Sequence, residues 1–113
     1  MSTTTTDLAR KSCKACQGAA AALTELQVEK LLGEVSGWQE KEGELRKTFK
    51  FKNYYETMAF VNASAWISHR EDHHPDLEVG YNQVLVRYST HSVGGLSEND
   101  FICAAKLEAL QGI

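Results

Sequence analysis

Three of the four histidines, His69, His73 and His74, fall within six residues, and the fourth, His91, ends an alternating apolar run. Imidazole has an unperturbed pKa of about 6.5, so such groups can give and take a proton near neutrality. His73 and His74 are followed by Pro75, whose fixed φ and missing amide end any helix before it. Two adjacent histidines at a helix exit cannot both point into a core, and a strand-end His91 meets them if the intervening strands fold back as a hairpin. The cluster points to acid–base chemistry, with ordinary surface histidines as the plain alternative.

A metal site is the competing reading. His69 and His73 are four apart, the spacing of helical zinc pairs, and His91 or Cys103 can complete a set. The run His69-Arg70-Glu71-Asp72-His73 lacks the glutamate that the metalloprotease signature places directly after its first histidine. Cys13-Lys14-Ala15-Cys16 has the spacing of half a zinc site, but no second pair follows, so no metal is expected. Asp100 falls in the first turn of a predicted helix, where the dipole favours its ionised form. A carboxylate there orients a histidine or receives a ligand's cationic group, unless it merely completes the helix cap. Neither a glycine-rich phosphate loop nor a nucleophile elbow occurs.

The elements that must position these groups can be read from caps and periodicity. Thr24-Glu25-Leu26-Gln27 is a capping box that opens a helix over residues 25–35, with Gly37 just past its end. Residues 38–41 and 45–51 flank Glu42-Gly43 as a hairpin, with Leu45, Phe49 and Phe51 on one face and Arg46, Thr48, Lys50 and Lys52 on the other. Asn53-Tyr54-Tyr55-Glu56 starts a helix over residues 54–71, with Met58, Val61 and Ala65 in one stripe and Phe60, Ala63 and Ile67 in another. This arc is wide enough to cover a sheet and to meet a further helix or subunit. Leu77, Val79 and Tyr81, then Val84, Val86 and Tyr88, alternate around a turn expected at Asn82-Gln83. Gly94-Gly95 marks a loop, and Ser97-Glu98-Asn99-Asp100 opens a last helix over residues 98–110. Helix, two strands, helix, two strands, helix argues for an α+β fold with an antiparallel sheet covered on one face.

Composition narrows the function classes. The 113 residues form one domain, with 42% apolar and 24% charged side chains, so disorder and fibrous repeats are excluded. A net charge of −3, from 12 basic and 15 acidic residues, offers no field for nucleic acid. No run of about 20 apolar residues is present to span a membrane, and the Ser/Thr-rich start lacks the marks of a secretory signal. Cytoplasmic residence is the expectation, with Cys13, Cys16 and Cys103 kept as thiols. Residues 1–22 read as a flexible segment carrying the Cys-x-x-Cys pair, and residues 23–113 as the folded domain.

Glu71-Asp72-His73-His74-Pro75, Ser89-Thr90-His91 and the run from Gly95-Leu96-Ser97 to Asp100-Phe101, in that order and spacing, resemble the pterin-4a-carbinolamine dehydratase family. The resemblance covers residues 26–110, and the Cys13 to Cys16 start is similar to bacterial members. It implies a four-stranded antiparallel sheet with three helices packed on one face, assembled as a homodimer or homotetramer. It also implies a lyase that needs no cofactor. Such an enzyme removes water from the 4a-hydroxytetrahydropterin left by an aromatic amino acid hydroxylase and releases quinonoid dihydropterin. By that resemblance His73, His74, His91 and Asp100 are the catalytic set, and His74, Pro75, Ser89, Thr90 and His91 hold the pterin. His74 would sit near the 4a-hydroxyl, His73 and His91 would act as acid and base, and Asp100 would orient His91. Two positions depart from the pattern: His69 stands where many members have an acid, and Leu77 where they have an aromatic residue. The resemblance also carries a second reading, since some relatives serve as non-catalytic assembly factors or dimerisation cofactors for a protein partner.

Overall fold

The computed structural model describes residues 8–14 and 22–110. The elements in chain order are α1 (Glu25–Leu32), β1 (Gln39–Lys41), β2 (Glu44–Lys50), α2 (Tyr54–Glu71), β3 (Asp76–Val79), β4 (Gln83–Tyr88), a 3-10 turn (His91–Val93) and α3 (Glu98–Glu108). The strands form one antiparallel sheet in the order β1-β2-β4-β3, so two hairpins lie side by side with β2 and β4 at the centre. The α+β class expected from the element order is what forms.

Alternation decides which face is packed. Leu45, Phe49, Val84, Val86 and Tyr88 are buried on one face, while Arg46, Thr48, Lys50 and Arg87 between them lie on the other. Phe60 of α2 and Phe101, Ile102 and Leu107 of α3 join the first set in one core, and Val28, Leu31 and Leu32 of α1 pack against it. The register places Leu45 opposite Tyr88 and Phe49 opposite Val84. A slip of one residue would turn all of these toward water, which is why the register is unique. Glu42 and Gly43 both take positive φ, 53° and 79°, in a turn whose twist matches the strands it joins. Lys47, at the border of the packed face, is paired with Glu108 and donates to the Ser36 carbonyl at 3.1 Å. Trp38 Nε1 donates to the same Glu108 carboxylate at 2.9 Å, tying β1 and β2 to the end of α3.

Three details differ from the sequence reading. α1 stops at Leu32, where Gly33 caps it, and Val35 then drops into the core from the following turn. The second hairpin turns at Gly80-Tyr81-Asn82, closed by the Gly80 amide on the Gln83 carbonyl at 2.8 Å, so Gln83 already belongs to β4. Tyr81 swings outward and stacks on Tyr54 with ring centroids 6.3 Å apart. In α2 the buried stripe is Thr57, Phe60, Ser64 and Ser68. Three of those four positions carry hydroxyls that donate back to helix carbonyls: Thr57 to Asn53 at 2.9 Å, Ser64 to Val61 at 2.7 Å and Ser68 to Ser64 at 2.9 Å. Satisfied this way, small polar side chains pack as apolar ones do, and apolar periodicity alone does not find them.

Residues 8–14, read from the sequence as part of a flexible segment, lie against α3. Leu8 is buried in the core, Lys106 Nζ donates to the Ala9 carbonyl at 2.6 Å, and the Lys14 amide donates to Asn99 Oδ1 at 3.0 Å. Asn99 Nδ2 returns a bond to the Lys14 carbonyl at 2.5 Å. A short strap held by backbone contacts has no period to read in the sequence. With it in place, α3 is buried from Asn99 through Ala105 and again at Leu107. Cys16 and the other residues of that segment, 1–7 and 15–21, lie outside the described residues. Among the described residues no helix is long and apolar enough to cross a membrane.

Candidate active site

α2 ends where the histidines begin. Asp72 takes φ 52° and ψ 43°, and the amides of Asp72 and His73 reach back to the carbonyls of His69 at 3.4 Å and Ser68 at 3.2 Å. This Schellman closure needs a left-handed residue, which glycine usually supplies and aspartate tolerates. The chain turns sharply there, so His73 leaves the helix while His69 stays on its exposed last turn. The four-residue spacing therefore does not put His69 and His73 on a common helix face. Among the described residues no three His, Cys, Asp or Glu side chains are grouped to hold a metal ion.

Pro75 leads directly into β3, and Asp76 pairs with Arg87, so residues 73–75 run alongside residues 88–90. His73 stacks on Tyr88 with centroids 5.8 Å apart and planes 7° from parallel. Its Nε2 lies 2.6 Å from Asp100 Oδ1, with the imidazole 12% exposed and the carboxylate 0%. A carboxylate only accepts, so this partner assigns the hydrogen to Nε2 and leaves Nδ1 as the ring's proton acceptor.

Asp100 is itself fixed in place. Its Oδ2 accepts from Thr90 Oγ1 at 2.8 Å and from the Ser97 amide at 3.0 Å, at the end of α3 where the dipole favours an anion. Ser97 Oγ lies 2.8 Å from Thr90 Oγ1. The Thr90 proton is engaged with Asp100, so Ser97 is the donor in that contact. The cap of α3 and the mount of the histidine's partner are thus one structure, and the histidine-orienting and capping readings of Asp100 merge.

The sequence-derived residues separate into two groups. His73, Asp100 and the Thr90 hydroxyl come together beneath the surface. Ser89, Thr90 and His91 border a cavity of about 530 Å³ whose other walls include Gly94, Gly95, Glu44, Arg46 and Arg87. Thr90 belongs to both, with its side chain turned inward and its residue lining the cavity. Its amide bonds the Gly95 carbonyl at 2.9 Å, which closes the loop that carries His91. Asp100 meets His73 rather than His91, because Thr90 takes the inward position and His91, next in the chain, faces out. His74 is exposed and Pro75 half-buried, and neither borders that cavity. Leu77 sits opposite Val86 on the packed side of the sheet, away from the cavity. Glu71 is engaged elsewhere: Oε1 accepts from the Cys13 amide at 2.9 Å and Oε2 lies 3.7 Å from Lys106 Nζ.

Tyr88 is the site residue that periodicity conceals. It reads as one more inward position of β4, yet it is the platform under His73. Burial pushes its phenol well above the ordinary range, helped by the nearby Cys103, Cys13 and Asp100. Its hydroxyl has no hydrogen-bond partner among the described residues.

Known proteins resemble this arrangement in sequence and in shape. A family model described as pterin 4 alpha carbinolamine dehydratase matches residues 21–110. A Nitrosospira multiformis protein, provisionally named pterin-4-alpha-carbinolamine dehydratase, is 59% identical over 110 residues, covering 97% of each chain. A Legionella pneumophila protein with the same provisional name is 51% identical over 109 residues, covering 94% of this chain and 96% of its own. A crystal structure of a transcriptional coactivator/pterin dehydratase from Brucella melitensis superposes with a TM-score of 0.77 at 34% identity, over 80% of this chain and 98% of that one. A pterin dehydratase-like protein identified as a RuBisCO assembly factor in the alpha-carboxysome superposes with a TM-score of 0.56 at 32% identity, over 66% of this chain and 87% of that one.

Proposed function

The chain belongs to the pterin-4a-carbinolamine dehydratase family, and on that premise we propose that it removes water from a 4a-hydroxytetrahydropterin. The product is quinonoid dihydropterin, which returns the pterin to the redox cycle of an aromatic amino acid hydroxylase. The C4a–O bond breaks only if the departing oxygen receives a proton, and N5 must lose its proton as the C4a=N5 bond forms. One acid and one base of near-neutral pKa meet both needs, and the proton count balances within the turnover. In this reading His73 Nδ1 takes the N5 proton while Asp100 holds its ring, His91 protonates the departing hydroxyl, and His74 holds the pterin near C4a. Pro75, Ser89 and the backbone of Thr90 and His91 complete the contacts.

The observation that carries this reading is the buried 2.6 Å contact of His73 with Asp100, itself fixed by Thr90 and Ser97. A histidine whose tautomer is set from behind is what a proton acceptor requires, whereas a surface histidine needs no such mount. The test is the rate of loss of 4a-hydroxytetrahydropterin, generated in place by a hydroxylase, with wild type, His73→Ala and His74→Ala. Acceleration by the wild type that falls by about 10²–10⁴ in both variants is expected. No acceleration over buffer by folded wild-type protein overturns the enzyme reading. The second reading, a non-catalytic binding protein, is favoured by Tyr55 and Trp66, which stand 82% and 63% exposed on the outer side of α2. The likeness to an assembly factor supports it too. The same surface serves assembly into a homodimer or homotetramer.

A further inference from the structure

The N-terminal strap brings two thiols together. Cys13 Sγ lies 3.6 Å from Cys103 Sγ, across 90 positions of sequence. Cys13 is partly exposed and Cys103 is fully buried in α3, one turn beyond Asp100. The approach is fixed on both sides of the pair. The Cys13 amide donates to Glu71 at 2.9 Å, and Lys14 and Asn99 exchange two hydrogen bonds at the next residue. Cys13 Sγ directs its proton to the Asn99 carbonyl at 3.7 Å, so Cys103 is the donor between the sulfurs. A disulfide needs its sulfurs about 2.0 Å apart, a closure of roughly 1.5 Å from this arrangement. Side-chain rotation at Cys13, which sits on a strap rather than in a helix, can supply it.

We propose that Cys13 and Cys103 are a reversible redox pair whose disulfide fastens the N-terminal strap to α3 behind the turn that mounts Asp100. Order of reaction follows from access. The hydrogen bond to Cys13, and then burial, push the Cys103 thiol up, so Cys13 is the sulfur that meets the oxidant. With hydrogen peroxide, Cys13 becomes a sulfenic acid and one water leaves. Cys103 Sγ then attacks the sulfenic sulfur, the S–O bond breaks, and the hydroxide released takes the Cys103 proton as a second water. Two thiols are oxidised by two electrons and one peroxide is reduced. A dithiol reverses the bond by exchange.

The test uses the full chain, fully reduced, then exposed to one equivalent of hydrogen peroxide, alkylated and mapped by mass spectrometry. A Cys13–Cys103 linked peptide that dithiothreitol dissolves is expected. Slower hydrogen exchange at the Cys13 and Lys14 amides should accompany it, with a Tm at least about 5 °C above that of the reduced protein. Cys13→Ser, a change on the partly exposed strap, and Cys103→Ala each abolish the link and the Tm difference. A Cys13–Cys16 bond, a link between two chains, or Cys103 still alkylated while Cys13 is overoxidised overturns the proposal. So does a linked protein whose strap exchanges as fast as before. None of these readouts depends on dehydratase activity.

Discussion

At the scale of single residues, the contact between His73 and Asp100 decides what the site can do, and Asp100→Asn tests it. The Ser97 amide and the Thr90 hydroxyl both need an acceptor, so the new amide must turn its oxygen toward them and its NH₂ toward His73. His73 Nε2 then has to accept, its hydrogen moves to Nδ1, and the base is lost while the fold is kept. Under the proposed function kcat falls by about 10²–10⁴ with Tm nearly unchanged, as steady-state kinetics and thermal melts of one preparation would show. Thr90→Val acts the other way round. It leaves Oδ2 with the Ser97 amide and strands a buried Ser97 hydroxyl, so melts should show a loss of about 1–3 kcal/mol before kinetics show a comparable effect. Tyr88 adds a dependence on pH. Its folded pKa is raised above the ordinary 10.0, so the stability it contributes is complete below about pH 10 and is lost as pH rises beyond that. Tyr88→Phe keeps the platform under His73 and removes an unpartnered hydroxyl. It should therefore melt no lower than wild type at neutral pH and unfold at higher pH in an alkaline titration followed by circular dichroism. Of these residues the sequence makes His73 and Asp100 visible through motif and cap. Thr90 is visible through its motif as a pterin contact, but not as a support of Asp100. Tyr88 is hidden, because an inward tyrosine in a strand looks the same whether it supports a site or fills a core.

At the scale of elements, the exit of α2 aims the histidines. Asp72 is the left-handed residue of the closure, a conformation that costs a non-glycine residue roughly 1–2 kcal/mol. Asp72→Gly should raise stability by a few tenths to about 1 kcal/mol without moving His73. Asp72→Val should lower it by about 1–2 kcal/mol, and under the proposed function it should also lower kcat, because the histidine follows the turn. Denaturant titrations of the two variants separate these outcomes. Elements were legible where a local signal fixes both ends. α2 spans Tyr54–Glu71 as expected because Asn53 caps its start and Pro75 forbids its continuation, and the Glu42-Gly43 turn announces the first hairpin. Legibility failed where tertiary contact overrides local pattern. Tyr81 leaves the strand alternation to stack on Tyr54, which moves the second turn by one to two residues. The strap at residues 8–14 is held by α3 and by Glu71 at the end of α2, and nothing in its own residues announces that.

At the scale of the whole molecule, the packed core accounts for one face of the sheet and one side of α2, and leaves a row of positions on the other side. Tyr55, Ala59, Asn62 and Trp66 follow the four-three-four spacing of a single helical stripe, and all four are exposed. A Trp at 63% exposure and a Tyr at 82% lose several kcal/mol of available burial if the chain stays alone, at roughly 25 cal/mol per Å² of apolar surface. A chain of 113 residues has a modest core, so stability gained between copies matters more here than in a larger domain. Under the proposed homo-oligomer, Trp66→Lys replaces one of the two large aromatic residues of that stripe with a charge without touching the His73 mount or the core. Light scattering behind size exclusion should then show the wild type at a multiple of its 12.6 kDa chain mass and Trp66→Lys at a smaller multiple, with the far-ultraviolet spectrum unchanged. A wild type that elutes as a single chain would remove self-assembly from the account of this stripe. The exposed aromatic residues would then be assigned to a different protein, and the binding-protein reading would gain over the enzyme.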